Sequence, residues 1–150
     1  QSDIICAITF LGSFTIIPYA APHKSWRCFK YHKQSWHYII KTADRTIFYG
    51  SDTVLNHDFY AGIASQHTID VAILPIDFVN LPGTDKSQFL SPEDAAHAAQ
   101  ELKAKQIIPC QFGSFNGQGH VMLERFQAEL AKLGMIEKSH VLPPGGLLKT

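Results

Sequence analysis

Residues 70–76 read DVAILPI, an unbroken apolar run that begins after an aspartate and contains a proline near its end. A continuous apolar run, without alternating polar residues, is typical of a strand buried on both faces, as in parallel sheets. Residues 91–94, SPED, then favour a helix start, with serine as the N-cap, proline at the first helical position and acidic side chains in the first turn. We expect this helix to reach about residue 104 and to be followed by a second buried strand at residues 106–110. The succession strand, helix, strand predicts an α/β arrangement.

The sequence before this run is rich in strands. Its β-prone apolar segments are interrupted by glycine, proline and short polar stretches, which predict turns and loops. We predict strands at residues 4–10, 13–19, 35–42 and 46–49, the last two joined as a hairpin. A helix is predicted at residues 55–65. Strands first, then alternating helices and strands, indicate an α/β or α+β domain with a mixed sheet.

The last third of the chain predicts one more amphipathic helix. Residues 120–133 place Leu123, Phe126, Leu130 and Leu133 on one face at helical spacing, and Gly134 is suited to end the helix. A short strand is predicted at residues 140–142, ahead of a Pro-Gly turn.

Composition restricts the classes of function. With 13 basic and 13 acidic residues, the formal net charge is zero, so no global field attracts nucleic acid. The basic residues between 24 and 33 are the one local candidate for such binding, and a solvated loop explains them better. Apolar runs are too short to span a bilayer, which needs about 20 residues, so no transmembrane segment is expected. The three cysteines lie far apart, which favours reduced thiols and a cytoplasmic location.

The first residues, QSD, contain neither a starting methionine nor the positive region of a signal peptide. We therefore expect the sequence to begin inside a longer protein.

Reactive side chains cluster at three predicted strand ends. These are residues 20–25 (AAPHKS), 49–53 (YGSDT) and 109–115 (PCQFGSF). Strand ends are where open sheets present functional groups, and histidine and aspartate are ligands of hydrolytic metal sites. Each signal also has an ordinary explanation: His23 as a loop histidine, and Asp52 as a helix N-cap. Cys110, likewise, is a small apolar residue at a strand end.

The order of these motifs is more specific than any one of them. Along the chain come APH (21–23), SW (35–36), GSDT (50–53), DVAILPI (70–76), SPEDA (91–95) and IPCQFGSF (108–115). In this order they resemble the C-terminal half of the metallo-β-lactamase superfamily. The resemblance is strongest to the branch that contains ascorbate-phosphate lactonases and N-acyl-phosphatidylethanolamine phospholipase D.

The resemblance implies a fold as well as a site. Residues 1–150 would be the C-terminal part of a single metallo-β-lactamase-like domain, an αββα sandwich in which this half provides a mixed sheet with flanking helices. A sandwich divided between its halves exposes apolar sheet surface and unpaired edges. We therefore expect the missing N-terminal half, or a second chain, in the natural molecule.

The resemblance also assigns residues. His23 falls on the third histidine ligand of the first metal, and Asp52 on the carboxylate that bridges the two metals. Gln111 falls where the family has its last histidine ligand, and a neutral amide oxygen binds zinc weakly, so the second ion should bind poorly. Ser114 would line the substrate pocket with Phe112 and Phe115, unless these residues pack beneath the strand end.

The larger departure from the family is a missing metal-binding motif. The H-x-H-x-D-H signature, which supplies the other histidines and the aspartate that orients water, does not occur, and no two of the eight histidines stand at i and i+2. His23 and Asp52, with only the weak Gln111 beside them, fall short of the three protein ligands that a catalytic zinc needs. By itself the chain is expected to be inert, and its catalytic residues stay unassigned.

Two hypotheses about function follow. A third explanation is that the likeness to the family is accidental. The first is a metal-dependent hydrolase, such as a phosphodiesterase, that cleaves a phosphodiester, lactone or related ester through a metal-bound hydroxide. One or two zinc or manganese ions would bind only with the N-terminal part present, and the substrate would be a small molecule or a phospholipid-like ester. The alternative is a degenerate homologue that keeps the fold as a binding or scaffold domain.

Overall fold

The computed structural model describes residues 8–10, 14–22, 35–77, 89–113 and 117–148. These residues form one six-stranded mixed sheet whose strands lie side by side in chain order. The strands are β1 (Ile8–Phe10), β2 (Phe14–Ala20), β3 (Trp36–Lys41), β4 (Thr46–Tyr49), β5 (Val71–Pro75) and β6 (Gln106–Cys110). The helices are α1 (His57–Gln66), α2 (Pro92–Glu101) and α3 (Gly119–Lys132), followed by a 3-10 turn at Ile136–Lys138. The predicted mixed sheet with flanking helices is confirmed.

The connections explain the two kinds of strand pairing. Strands β1 to β4 pair antiparallel, and the turn between β3 and β4 is closed by a 2.8 Å hydrogen bond from Thr42 N–H to Arg45 O. The pairs β4–β5 and β5–β6 are parallel. Parallel neighbours need a crossover, which helix α1 supplies for the first pair and α2 for the second.

The helix boundaries follow local capping chemistry. Ser91 Oγ accepts a 3.0 Å hydrogen bond from Asp94 N–H at the start of α2, as the sequence predicts. Helix α1 begins two residues later than predicted, because Asn56 Oδ1 accepts the N–H of Phe59 at 3.0 Å. Helix α3 ends before Gly134, which has a φ of 69°.

One core joins the sheet to all three helices. From the sheet it contains fully buried residues such as Ile39, Phe48 and Leu74, and from the helices Tyr60 and Phe126. Helix α2 contributes four buried alanines, at positions 95, 96, 98 and 99, whose small side chains allow it to pack closely. On α3 the predicted apolar face is confirmed, since Phe126 and Leu130 are buried and Leu123 and Leu133 pack against the core.

The other face of the sheet is apolar but only half-buried. Along β3 the buried residues His37 and Ile39 alternate with the partly exposed Trp36, Tyr38 and Ile40. Apolar faces of this kind normally pack against a further layer of secondary structure. The described residues therefore form a sheet that is covered by helices on one side.

The strand predicted at residues 140–142 is wrong. Ser139 instead makes a single parallel bridge to Ile107, and His140 N–H donates to Ile107 O at 2.8 Å. Pro143 and Pro144 come directly after residues 140–142, and proline has no N–H with which to extend a β-ladder.

Several predictions lie outside the described residues. The basic segment 24–33 is among them, as is most of the first predicted strand. Of the helices that the structure describes, none has the length and apolarity needed to cross a membrane.

Replacing Phe126 with alanine is expected to lower the free energy of unfolding by about 3–5 kcal/mol, because the fully buried ring of α3 would leave a cavity in the core. Urea unfolding of the full-length protein would measure the loss. Leu147→Ala is the control: this side chain is 81% exposed, so the change should stay within about 0.5 kcal/mol. Equal effects of the two substitutions would contradict the assigned core.

Asp70→Asn tests the polar contacts at the start of β5. The carboxylate accepts hydrogen bonds from Lys105 Nζ and from Thr46 N–H, both at 2.8 Å, and these bonds hold the pKa of Asp70 below its ordinary value. Because Lys105 is largely exposed, we expect a loss of only about 1 kcal/mol at neutral pH.

The pH dependence of this loss follows from the lowered pKa of Asp70. The carboxylate stabilises the fold fully above the pKa it has in the unfolded chain, and the contribution disappears as the pH falls through the lower, folded value. The difference between wild type and Asp70→Asn should therefore shrink below about pH 4 in urea titrations. A difference that stays constant down to pH 2 would contradict this account.

Candidate functional site

A surface pocket lies at the edge of the sheet where the parallel strands end. Its volume is about 370 Å³, and it is lined by Ser35, Trp36, Tyr38, Tyr49, Ser51, Asp52 and Gln111. Asp52 follows the end of β4, and Gln111 follows the end of β6. Because β4 and β6 both run parallel to β5, their carboxyl ends reach the same edge. The topology thus brings together two side chains that are 59 positions apart.

The backbone at Gln111 has an uncommon conformation. Its φ is 53°, in the left-handed region that residues other than glycine rarely adopt. Immediately before it, Cys110 O accepts the N–H of Ile76 at 3.0 Å, which keeps β6 paired to the chain beyond β5. The chain therefore leaves the sheet sharply at Gln111, and the exposed amide side chain stands at the pocket.

The turn that carries Asp52 requires glycine at its first position. Gly50 N–H donates to Ile73 O at 2.8 Å. A Cβ atom at position 50 would lie 3.1 Å from that same oxygen and 3.1 Å from Leu74 Cδ2, closer than side chains ordinarily pack. Glycine thus allows the turn to approach the edge of β5.

His37 on β3 fixes the rest of this turn, and sequence reasoning missed it. Its Nδ1 accepts a hydrogen bond from Ser51 N–H, and its Nε2 lies against Thr53 Oγ1, both at 3.1 Å. The imidazole is fully buried. The signal in the sequence was its position two residues before Ile39, which places both side chains on the core face of the strand.

A second contact between β3 and the turn involves Ser51. Its hydroxyl donates a 2.6 Å hydrogen bond to Trp36 O. Thr53 Oγ1 in turn donates to Val54 O at 3.2 Å and lies 3.4 Å from the hydroxyl of Tyr60. Burial raises the pKa of the Tyr60 hydroxyl, so this group stays protonated. The residues on both sides of Asp52 are therefore held by β3 and α1.

Two of the residues singled out by sequence share this pocket, and two cannot be placed. Asp52 and Gln111 both line it. His23 and Ser114 lie outside the described residues. The alternative explanation of Asp52 as the N-cap of the following helix is wrong, because Asn56 caps α1.

The residues that flank Gln111 have roles in packing. Phe112 packs against the hydrophobic core, as the alternative explanation of this residue predicts, whereas Phe115 is not among the described residues. Burial raises the pKa of the Cys110 thiol to about 11, so this group is protonated at neutral pH.

The pocket has the chemistry of part of a metal site. Asp52 offers a carboxylate and Gln111 an amide oxygen, both oxygen donors suited to divalent cations. Within the described stretches of the chain, no three His, Cys, Asp or Glu side chains come close enough together to hold a metal ion. Among the described residues, Asp52 and Gln111 could therefore offer two donors to such an ion, and a complete site would need at least one more.

Comparison with known proteins identifies the family of this chain. The family model described as "Beta-lactamase superfamily domain" matches residues 6–110. The chain is 40% identical over 78 residues to a "UPF0173 metal-dependent hydrolase" of Geobacillus thermodenitrificans, covering 51% of this chain and 30% of that protein. A protein of Pyrobaculum aerophilum that carries the same family name is 31% identical over 112 residues, which is 75% of this chain and 45% of that protein. The chain thus corresponds to less than half of either relative.

Solved structures show the same fold at low sequence identity. A possible metal-dependent hydrolase from Veillonella parvula superposes with a TM-score of 0.76 at 14% identity, covering 98% of this chain and 58% of that one. The metallo-beta-lactamase fold protein YhfI from Bacillus subtilis gives a TM-score of 0.62 at 16% identity, covering 98% and 52%. Because the family model spans more than half of the sequence, the chain belongs to the metallo-β-lactamase superfamily.

Proposed function

We propose that this chain, residues 1–150, is the C-terminal part of the single catalytic domain of a metal-dependent hydrolase. The observation that carries the proposal is the meeting of Asp52 and Gln111 in one pocket at the carboxyl edge of the sheet. The relatives named metal-dependent hydrolases support it, although the chain spans less than half of their length.

Each predicted ligand would have a distinct part in the site. Asp52 would provide the anionic oxygen, and the hydrogen bonds of His37 to Ser51 and to the buried Thr53 would keep it in place. His23, three positions after the end of β2 in the sequence, would supply an imidazole. Gln111 would be a weak neutral donor, so one cation would bind well and a second poorly. A zinc or manganese ion held there would act as a Lewis acid and lower the pKa of a bound water.

We propose a phosphodiester, a lactone or a related ester as the bond cleaved, in a small-molecule or phospholipid-like substrate. The support is the motif order shared with the branch of ascorbate-phosphate lactonases and N-acyl-phosphatidylethanolamine phospholipase D. Trp36, Tyr38 and Tyr49 line the pocket and offer aromatic surface to such a substrate. Ser114 would extend the wall beyond Gln111.

The remaining donors would come from a further part of the natural protein or from a second chain. The half-buried apolar face of the sheet, with Tyr38, Ile40 and Ile73, supports this proposal because it offers a surface for the other half of an αββα sandwich. The same part would carry the H-x-H-x-D-H signature. We propose a cytoplasmic location, since the three dispersed cysteines suit a reducing compartment.

A degenerate scaffold domain is the second candidate. Gln111 in place of a histidine favours it, because the amide binds metal less well than imidazole. The sequence that precedes Gln1 in the natural protein discriminates between the two candidates. An intact H-x-H-x-D-H there favours the enzyme, and substituted positions favour the scaffold.

The full-length protein is expected to bind about one zinc or manganese ion per chain and to hydrolyse bis(p-nitrophenyl) phosphate. Asp52→Asn should reduce metal affinity and kcat/KM by at least about 100-fold, since it removes a charged ligand and outer-shell changes alone cost up to that factor. Metal content by mass spectrometry and the release of nitrophenolate would be measured.

Asp58→Asn provides the matched control for this substitution. Asp58 is an exposed carboxylate in the first turn of α1, six positions away, so its removal should leave both readouts unchanged. Wild-type protein that binds no metal and shows no hydrolysis after metal addition would overturn the enzyme proposal.

Gln111→His is expected to raise the metal content of the full-length protein from about one to about two ions per chain, because imidazole is a better ligand for zinc than an amide oxygen. The backbone permits the change, since histidine is one of the residues that tolerate a positive φ such as the 53° found here. Gln111→Ala is the control and should give no second ion. A content that stays unchanged in Gln111→His would show that Gln111 is not a ligand position.

A further inference from the structure

We propose that His37 is a positioning residue that fixes Asp52 for metal binding; the inference rests on the proposed function of the pocket. The imidazole does not line the pocket itself, and it belongs to none of the motifs that indicate the family. Its bonds to the residues on both sides of Asp52 carry the proposal.

The two ring nitrogens act on the turn at different points. Because Nδ1 accepts the N–H of Ser51 at 3.1 Å, it carries no proton. The proton of the neutral ring is then on Nε2, which donates to Thr53 Oγ1 at 3.1 Å. Thr53 can therefore direct its own hydroxyl proton to Val54 O. One ring thus fixes the backbone before Asp52 and the side chain after it.

The ring is itself held in a fixed orientation. Phe48, Phe59 and Tyr60 surround it, with centroid distances of 5.2, 5.3 and 6.2 Å. Its exposed fraction is zero, and the residue lies in the middle of the sheet on β3. A ring packed in this way has little freedom to rotate. Its hydrogen bonds therefore restrict the motion of the turn at residues 51–53.

A histidine that served packing alone would need no such bonds. An apolar ring would fill the same space without the cost of burying two polar nitrogens. Here both nitrogens are used, and both partners flank Asp52, the one carboxylate among the described residues that line the pocket. This is the arrangement by which outer-shell groups orient a metal ligand.

The experiment compares zinc binding by full-length variants, measured by calorimetry well below the thermal midpoint of each. His37→Phe keeps an aromatic ring but removes both bonds, and should weaken zinc affinity by about 10–100-fold. His37→Asn places an amide oxygen near the position of Nδ1 and should recover part of the loss by accepting the Ser51 N–H. This rescue is a readout that a purely structural role would not give.

Ile39→Ala is the control for lost stability. Ile39 is fully buried two residues along the same strand and on the same face, but it has no bond to the turn. The variant should lower the thermal midpoint while leaving zinc affinity unchanged. If zinc affinity falls equally in Ile39→Ala and His37→Phe, the effect is general destabilisation and the positioning role is overturned.

The remaining outcomes separate this inference from the proposed function. Wild-type zinc affinity in folded His37→Phe overturns the role of His37 and leaves the hydrolase proposal intact. Wild-type protein that binds no zinc overturns both. If His37→Phe does not fold, His37→Gln, which lacks the acceptor for Ser51 N–H, is compared with His37→Asn. Wild-type affinity in both of these variants would also overturn the role.

Discussion

The parallel pairing of β4 and β6 with β5 is the constraint on which the candidate site depends. It directs the carboxyl ends of the strands to one edge, so that Asp52 and Gln111 line the same pocket. The crossover helices α1 and α2, which parallel pairing requires, also supply much of the core. One choice of strand direction thus sets both the packing of the domain and the location of the candidate site residues.

The turn that carries Asp52 is held in place by contacts with the sheet and the core. Gly50 lets the turn approach β5, and His37 and Trp36 hold it from β3 through Ser51. Gln111 leaves β6 in a left-handed conformation on the far side of β5. The two pocket residues are therefore placed by backbone hydrogen bonds and buried contacts. The surface ion pair of Arg125 on α3 with Glu93 on α2 lies elsewhere and links these two helices.

The asymmetry of the sheet links the fold to the function. Its helix-covered face is closed, whereas the face with Tyr38, Ile40 and Ile73 remains half-buried in the described part of the chain. The described residues likewise contain no group of three His, Cys, Asp or Glu side chains that could hold a metal ion by itself. We propose that the rest of the natural protein forms one further layer. This layer would cover the half-buried face of the sheet and would also supply the missing metal ligands.

The sequence alone determined the elements that rest on local patterns. The apolar run of β5, the Ser91 cap of α2 and the apolar face of α3 are set by neighbouring residues, which is why they were predictable. The order of the motifs also indicated the family, and with it Asp52 and Gln111 as candidate site residues. The strand predicted at residues 140–142 does not form, because the two prolines directly after it outweigh its local apolarity. Only the tertiary structure showed that His37 supports the turn, since its partners are 14 and 16 positions away and hydrogen bonds between distant segments leave no periodic signal in the sequence.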